Sequence, residues 1–119
     1  MTDVATDVAT AGISRATKTM NPLAVTAVRL SLLGQDPEGY AKACTALAEA
    51  TIELPVEQIL ARTLLVTGAD DKVSSPEICK RYATRLHTSP PVVLDNIGHW
   101  HVFENEAILS NTVLKFLES

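Results

Sequence analysis

Apolar positions in this chain follow a helical period in its first half and mix helix and strand periods in its second. Leu23, Ala27 and Leu30, with Val28 and Leu32 beside them, recur at steps of three and four, the spacing of one helix face. Asn21-Pro22 marks the start, with a capping acceptor followed by proline at the first helical position, where its missing N–H costs nothing. Gly34 is expected to end this helix in a left-handed cap. Asp36-Pro37 repeats the start signal and opens a helix carrying Tyr40, Ala43, Cys44 and Leu47 on one face. The two predict a helical hairpin joined at Gly34-Gln35. Ahead of them, Met1 to Met20 holds a near-repeat, Thr2-Asp3-Val4-Ala5 and Thr6-Asp7-Val8-Ala9, with neither a helical stripe nor a clean alternation. It reads as an irregular lead-in.

Beyond residue 52 the pattern changes kind. Pro55 to Leu60 predicts a single helical turn or a loop. Thr63 to Thr67 is a short apolar run ending at Gly68, and its lack of polar alternation predicts a strand covered on both faces. Ser75-Pro76 opens a helix with Ile78, Cys79, Tyr82 and Leu86 at helical spacing. Pro90-Pro91 interrupts the chain, and Val92 to Leu94 predicts a second strand. The last helix is expected from about Asn105 to Leu117, burying Ile108, Leu109, Thr112, Val113, Phe116 and Leu117. Strands alternating with helices predict an α/β fold with parallel strands joined by a right-handed crossover. The chain then divides into a lead-in (1–20), a helical segment (21–52) and an α/β segment (53–119). Two parallel strands leave both edges open, so this sheet belongs to a larger structure or pairs with another chain.

Composition narrows the classes of partner. With 119 residues there is room for one domain. The chain is 46% hydrophobic and 20% charged, which predicts folding rather than disorder. A net charge of −4 without any Lys/Arg cluster argues against nucleic acid or an anionic membrane surface as partner. No apolar run approaches the roughly 18 residues of a spanning helix, and the N-terminus has no secretory pattern. Cys44 and Cys79 fall inside predicted helices and read as reduced core residues, which fits a cytoplasmic protein.

The candidate chemistry lies just past the two strands. The first loop runs Gly68-Ala69-Asp70-Asp71-Lys72-Val73-Ser74-Ser75-Pro76. Its glycine permits a sharp turn, after which an aspartate can point back over the sheet's C-terminal edge, where open α/β sheets place their sites. Aspartates also serve as ordinary turn residues, and the loop alone does not separate the two roles. The second loop places Gly98-His99 after a strand, with Trp100, Phe103 and Glu104 following. A histidine acting as general base needs a partly dry pocket and a carboxylate to hold its tautomer. Trp100 and Phe103 can supply the first and Asp71 the second. A packed histidine bonded to a backbone carbonyl is the plainer alternative. His99 and His101 have the spacing of a chelating pair, but they lie in a loop without a Cys or Glu cluster, so no metal is expected. His87 reads as a helix C-terminal residue.

Taken together, the two loops resemble the α/β-hydrolases, in particular the 3-oxoadipate enol-lactonase-like esterases. That family's acid sits in a G-x-x-D-x-x-x-x-P setting, matched by Gly68, Asp71 and Pro76, and its histidine in a G-H-x-x-x-x-E setting, matched by Gly98, His99 and Glu104. Where the family often has proline two residues past that glutamate, this chain has Glu106. Asp36 to Leu47 resembles the end of the family's helical lid. The resemblance implies an incomplete α/β-hydrolase fold, with residues 21–52 as a lid remnant and 53–119 as the carboxy-terminal part of the core. It implies Asp71 orienting His99, His99 as general base, an ester or lactone as small-molecule substrate, and no cofactor. Asp70 has no direct role in it.

The family's nucleophile stands on G-x-S-x-G, and no such string occurs here. Gly12-Ile13-Ser14-Arg15-Ala16 comes nearest. No apolar strand precedes it, and Ser14 is read as a loop serine. Ser75 is read as the N-cap of the following helix. The chain alone is therefore expected to lack efficient turnover, and a non-catalytic remnant that dimerises or completes a partner's sheet is the alternative.

Overall fold

The computed structural model describes residues 1–119 and begins with helix where the sequence suggested an irregular lead-in. Helices α1 (Thr2–Gly12) and α2 (Arg15–Met20) occupy the first twenty residues. The near-repeat explains the first of them. A four-residue repeat is close to one helical turn, so Ala5 and Ala9 fall on the same face, and Ile13 continues it. Helix α3 (Pro22–Leu33) offers Ala24, Val28 and Leu32 at the same spacing, and these six residues form the main buried cluster. Alanine needs little room, so the two helices approach closely. Ser14 caps α2 by accepting from the Thr17 amide.

The predicted hairpin is looser than its pattern implied. Helix α4 (Pro37–Ala48) begins as expected, with Asp36 accepting from the Gly39 amide at 2.7 Å. It buries no residue, and only Tyr40 packs against the helical cluster. Cys44 is exposed, contrary to its expected core position, because α3 turns its buried face toward α1 and leaves α4 little to cover. Gly34 ends α3 in a right-handed conformation rather than the left-handed cap expected of it.

The sheet has two parallel strands, β1 (Val66–Gly68) and β2 (Val92–Leu94), paired Val66 to Val92 and Gly68 to Leu94. Strand β1 is shorter than the predicted Thr63–Thr67, because β2 is its one ladder partner and begins opposite Val66. Helix α5 (Pro76–Arg85) makes the crossover, capped by Ser75 and burying Cys79 and Ala83. It ends in a Schellman motif: His87 stands in the left-handed region and donates to Thr84, while Thr88 donates to Ala83. The single turn α6 (His101–Glu104) then leads to α7 (Glu106–Glu118). The apolar stripe of α7 is only partly covered: the Arg62 guanidinium lies 4.5 Å from the centre of the Phe116 ring, while Ile108 and Leu117 stay exposed.

The molecule is more open than a compact fold of its size. Its surface of 8200 Å² exceeds by about 1,900 Å² what a compact protein of 12.8 kDa presents. The radius of gyration, 15.7 Å, compares with about 13.5 Å for a compact chain of this length. No helix is long and apolar enough to cross a membrane.

Candidate active site

Both strands stop at the same edge, and their loops are stitched together there. The Ala69 amide donates to Leu94 and the Asp70 amide to Ile97, each at 2.9 Å. Gly68 lies so close to the Ile97 and Gly98 carbonyls that any Cβ would collide with them. This approach brings residue 71 beneath residue 99.

Asp71 is buried and its carboxylate is held at both oxygens. Oδ1 accepts the amides of Val73 and Ser74, both at 2.8 Å. Oδ2 faces the Nδ1 of His99 at 3.0 Å. Burial by itself raises the pKa of this acid. The bond to His99, with the Ser74 and Val73 amides, outweighs burial and holds the carboxyl below its usual range. An ionised carboxylate only accepts, so the Nδ1 of His99 donates this bond. The His99 side chain is one-third exposed.

A second buried carboxylate fixes the backbone on either side of His99. Glu104 accepts the Gly98 amide at 3.0 Å and the Trp100 amide at 3.1 Å. Its Oε2 also takes the Ser14 amide and the Thr17 hydroxyl, both at 2.9 Å. The His99 amide itself donates to the Gly12 carbonyl at 2.7 Å. The first helices and the histidine loop are thus bound through one carboxylate. Gly98 has no alternative at its position, because a Cβ would strike the Gly12 carbonyl and the Ser14 amide.

The other candidate residues fall outside this arrangement. Asp70 points to solvent. Ser14 is buried rather than in an open loop, and its hydroxyl donates to the Asn96 carbonyl at 2.6 Å. That hydroxyl serves a cap and a loop contact and makes no bond to an imidazole. His101 lies 3.9 Å from Asp71 Oδ2, beyond hydrogen-bonding reach, and its Nε2 has no partner. Burial lowers its pKa, so the ring stays neutral. The rings of His99 and His101 are 6.5 Å apart and tilted, and they do not converge on a point as chelating ligands would.

No protein-family model and no curated protein matches this chain. Solved structures do. A thermophilic esterase from Thermogutta terrifontis, solved with malate bound, aligns over 98% of this chain with a TM-score of 0.88 and 23% identity. An enol-lactonase from Burkholderia xenovorans LB400 aligns over 98% with a TM-score of 0.82 and 20% identity. This chain has an incomplete α/β-hydrolase fold. It spans 43% of the esterase and 45% of the lactonase.

The sequence pattern marks Asp71 and His99 as candidates but gives no sign of what steadies them. Glu104 stood in the motif without a structural role, because its partners Ser14 and Thr17 lie 90 and 87 residues away in sequence. The readable signal was Ser14 followed three residues later by Thr17, a capping arrangement inside the segment taken as irregular.

Proposed function

We propose that this chain supplies the acid and the base of a serine-type hydrolase acting on a small-molecule ester or lactone. The observation that carries this reading is the Asp71–His99 pair, joined at 3.0 Å with the other carboxylate oxygen pinned by two amides. Asp71 orients the ring and stabilises the imidazolium. His99 Nε2 takes the proton of an attacking hydroxyl and returns it to the leaving group. Residues 21–52, with helices α3 and α4, act as the lid remnant. The nucleophile and the oxyanion donors come from polypeptide outside these 119 residues, and the chemistry calls for no cofactor or metal. Free Cys44 and Cys79 fit a reducing, cytoplasmic setting.

The test supplies the missing part. The chain is co-refolded with an α/β-hydrolase amino-terminal segment bearing G-x-S-x-G, and p-nitrophenyl acetate hydrolysis is followed. Activity should appear and fall by about 10⁴-fold in Asp71→Asn, the size of loss when a triad acid no longer holds its histidine. Activity unchanged by Asp71→Asn and by His99→Ala would reject the proposal.

The surface excess favours a second reading. About 1,900 Å² of extra surface exceeds what one partner buries in a standard interface, roughly 800 Å². On this reading the chain is an interaction module that dimerises or completes a partner's sheet through the open edges beside Val92 and Val93. A monomer at all concentrations in light scattering would remove self-association.

A further inference from the structure

The two buried carboxylates beside His99 differ in how completely they are bonded. An ionised carboxylate has about four acceptor positions, shared between its two oxygens. Glu104 uses them all: Oε1 takes the Gly98 and Trp100 amides, and Oε2 the Ser14 amide and the Thr17 hydroxyl. Asp71 does not. Its Oδ1 takes the Val73 and Ser74 amides, while Oδ2 takes His99 Nδ1 alone. The Asp71 side chain has no exposed surface, so bulk solvent does not reach the second position on Oδ2. His101 Nε2 faces that oxygen at 3.9 Å, and it is itself buried and bonded to nothing. A gap of 3.9 Å holds no third atom between the two.

We propose that His101 is a positioning residue for Asp71: its Nε2–H donates to the second position on Oδ2 and anchors the carboxylate that orients His99. The role rests on Asp71 being the acid of the reaction proposed above; the hydrogen bond does not. Charge-assisted bonds to a carboxylate run about 2.7–2.9 Å, so the contact closes by a shift of about 1 Å. His101 begins the single turn α6, whose Val102 is exposed, so little packing resists that shift. Closure also relieves a buried donor and a buried acceptor that otherwise keep the full cost of lost hydration. The other ionisable groups facing His101 are His99 and Glu104. Glu104 already has its donors, and the His99 ring stands 6.5 Å away centre to centre, which leaves Asp71 as the acceptor. Burial keeps the His101 ring neutral, and a neutral imidazole facing an anion puts its one proton on the near nitrogen. Without this donor, Oδ2 is tethered only to the ring it has to hold.

The test uses the full isotope-labelled chain at about pH 8, where an imidazole is ordinarily neutral. Long-range proton–nitrogen spectra should show His101 as the Nε2–H tautomer, with a ring signal that moves in Asp71→Asn. Exchange of the His99 Nδ1 proton with water should quicken about tenfold or more in His101→Leu, the size expected when a charge-assisted bond is lost. It should stay close to wild type in His101→Gln, which keeps a nitrogen donor at the same reach. A packing role would favour the opposite order, and circular dichroism checks that both variants fold. In the co-refolded enzyme, kcat should fall about tenfold in His101→Leu at unchanged KM and recover in His101→Gln. A proton on Nδ1 of His101, equal exchange in the two variants, or a kcat indifferent to both would overturn the inference. Exchange that follows the donor, with no hydrolysis dependent on Asp71 and His99, would instead reject the catalytic reading and leave the Asp71–His101 bond standing.

Discussion

Two apolar seams in this molecule contrast in pattern and in fate. The stripe on α1 is weak, three positions of which two are alanine, set among threonine and aspartate. It is buried, because Ala24, Val28 and Leu32 of α3 lie opposite at matching spacing. The stripe on α7 is stronger, rich in isoleucine, leucine, valine and phenylalanine. It stays largely open: Ile108 is 44% exposed, Val113 37% and Leu117 65%, with Leu109 and Phe116 half-buried. Hydrophobic spacing therefore says which face a helix offers, while burial depends on whether the chain provides something to meet it. The closed seam belongs to the side that holds the histidine loop.

The sharpest way to break this contrast is at the carboxylate that ties the closed side together. Glu104→Ala strands the amides of Ser14, Gly98 and Trp100 and the Thr17 hydroxyl, each costing roughly 1–3 kcal/mol if left without a partner. Water entry will recover part, so a loss of at least about 3 kcal/mol is expected in urea unfolding. Ser14 and Gly98 amide exchange should accelerate with it. A loss below about 1 kcal/mol would mean the first helices and the histidine loop hold together without this residue.

Next in size is the seam itself. Val28→Ala removes a side chain with no exposed surface from the α1–α3 contact and should cost about 2 kcal/mol, between the losses for single-methylene and whole-side-chain truncations. The same measurement under acid tests the site. Asp71 and His101 both have lowered pKa values, so each contributes stability above its ordinary range and loses it as pH falls through its folded value. The urea midpoint should therefore decline below about pH 6.5 through His101 and again below about pH 4 through Asp71. His101→Leu should flatten the first decline, and an unaltered slope would show that His101 does not titrate as its burial requires.

The smallest effect is expected on the open side. Leu117→Ala should alter the stability of the isolated chain by no more than about 0.5 kcal/mol, because its side chain is already in water. It should reduce any self-association seen by light scattering. A stability loss comparable to Val28→Ala would show that α7 is covered in solution, and the contrast between the seams would fail.

Much of this was written locally. Asp36 and Ser75 cap the helices they precede, Val92 to Leu94 is a strand, and glycines close both site loops, because each depends on neighbours within four residues. The candidate acid and base were legible for the same reason, as ionisable residues just past apolar runs. Other features depended on distant partners. Met1 to Met20 is helical because α3 lies against it, and Cys44 is exposed because nothing does. Ser14 is a buried cap because Asn96 and Glu104 meet it from the far end of the chain.

By itself, then, the sequence determined helices α3, α4, α5 and α7, the two strands, the caps at Asp36 and Ser75, and the placing of Asp71 and His99 after those strands. Only the tertiary structure decided that the two side chains stand 3.0 Å apart, that Glu104 joins the first helices to the loop holding His99, and which apolar faces are covered. The physical reason is range. Propensity and capping act over one or two turns of chain, whereas desolvation and hydrogen bonding between distant residues act only once the chain has brought them into contact.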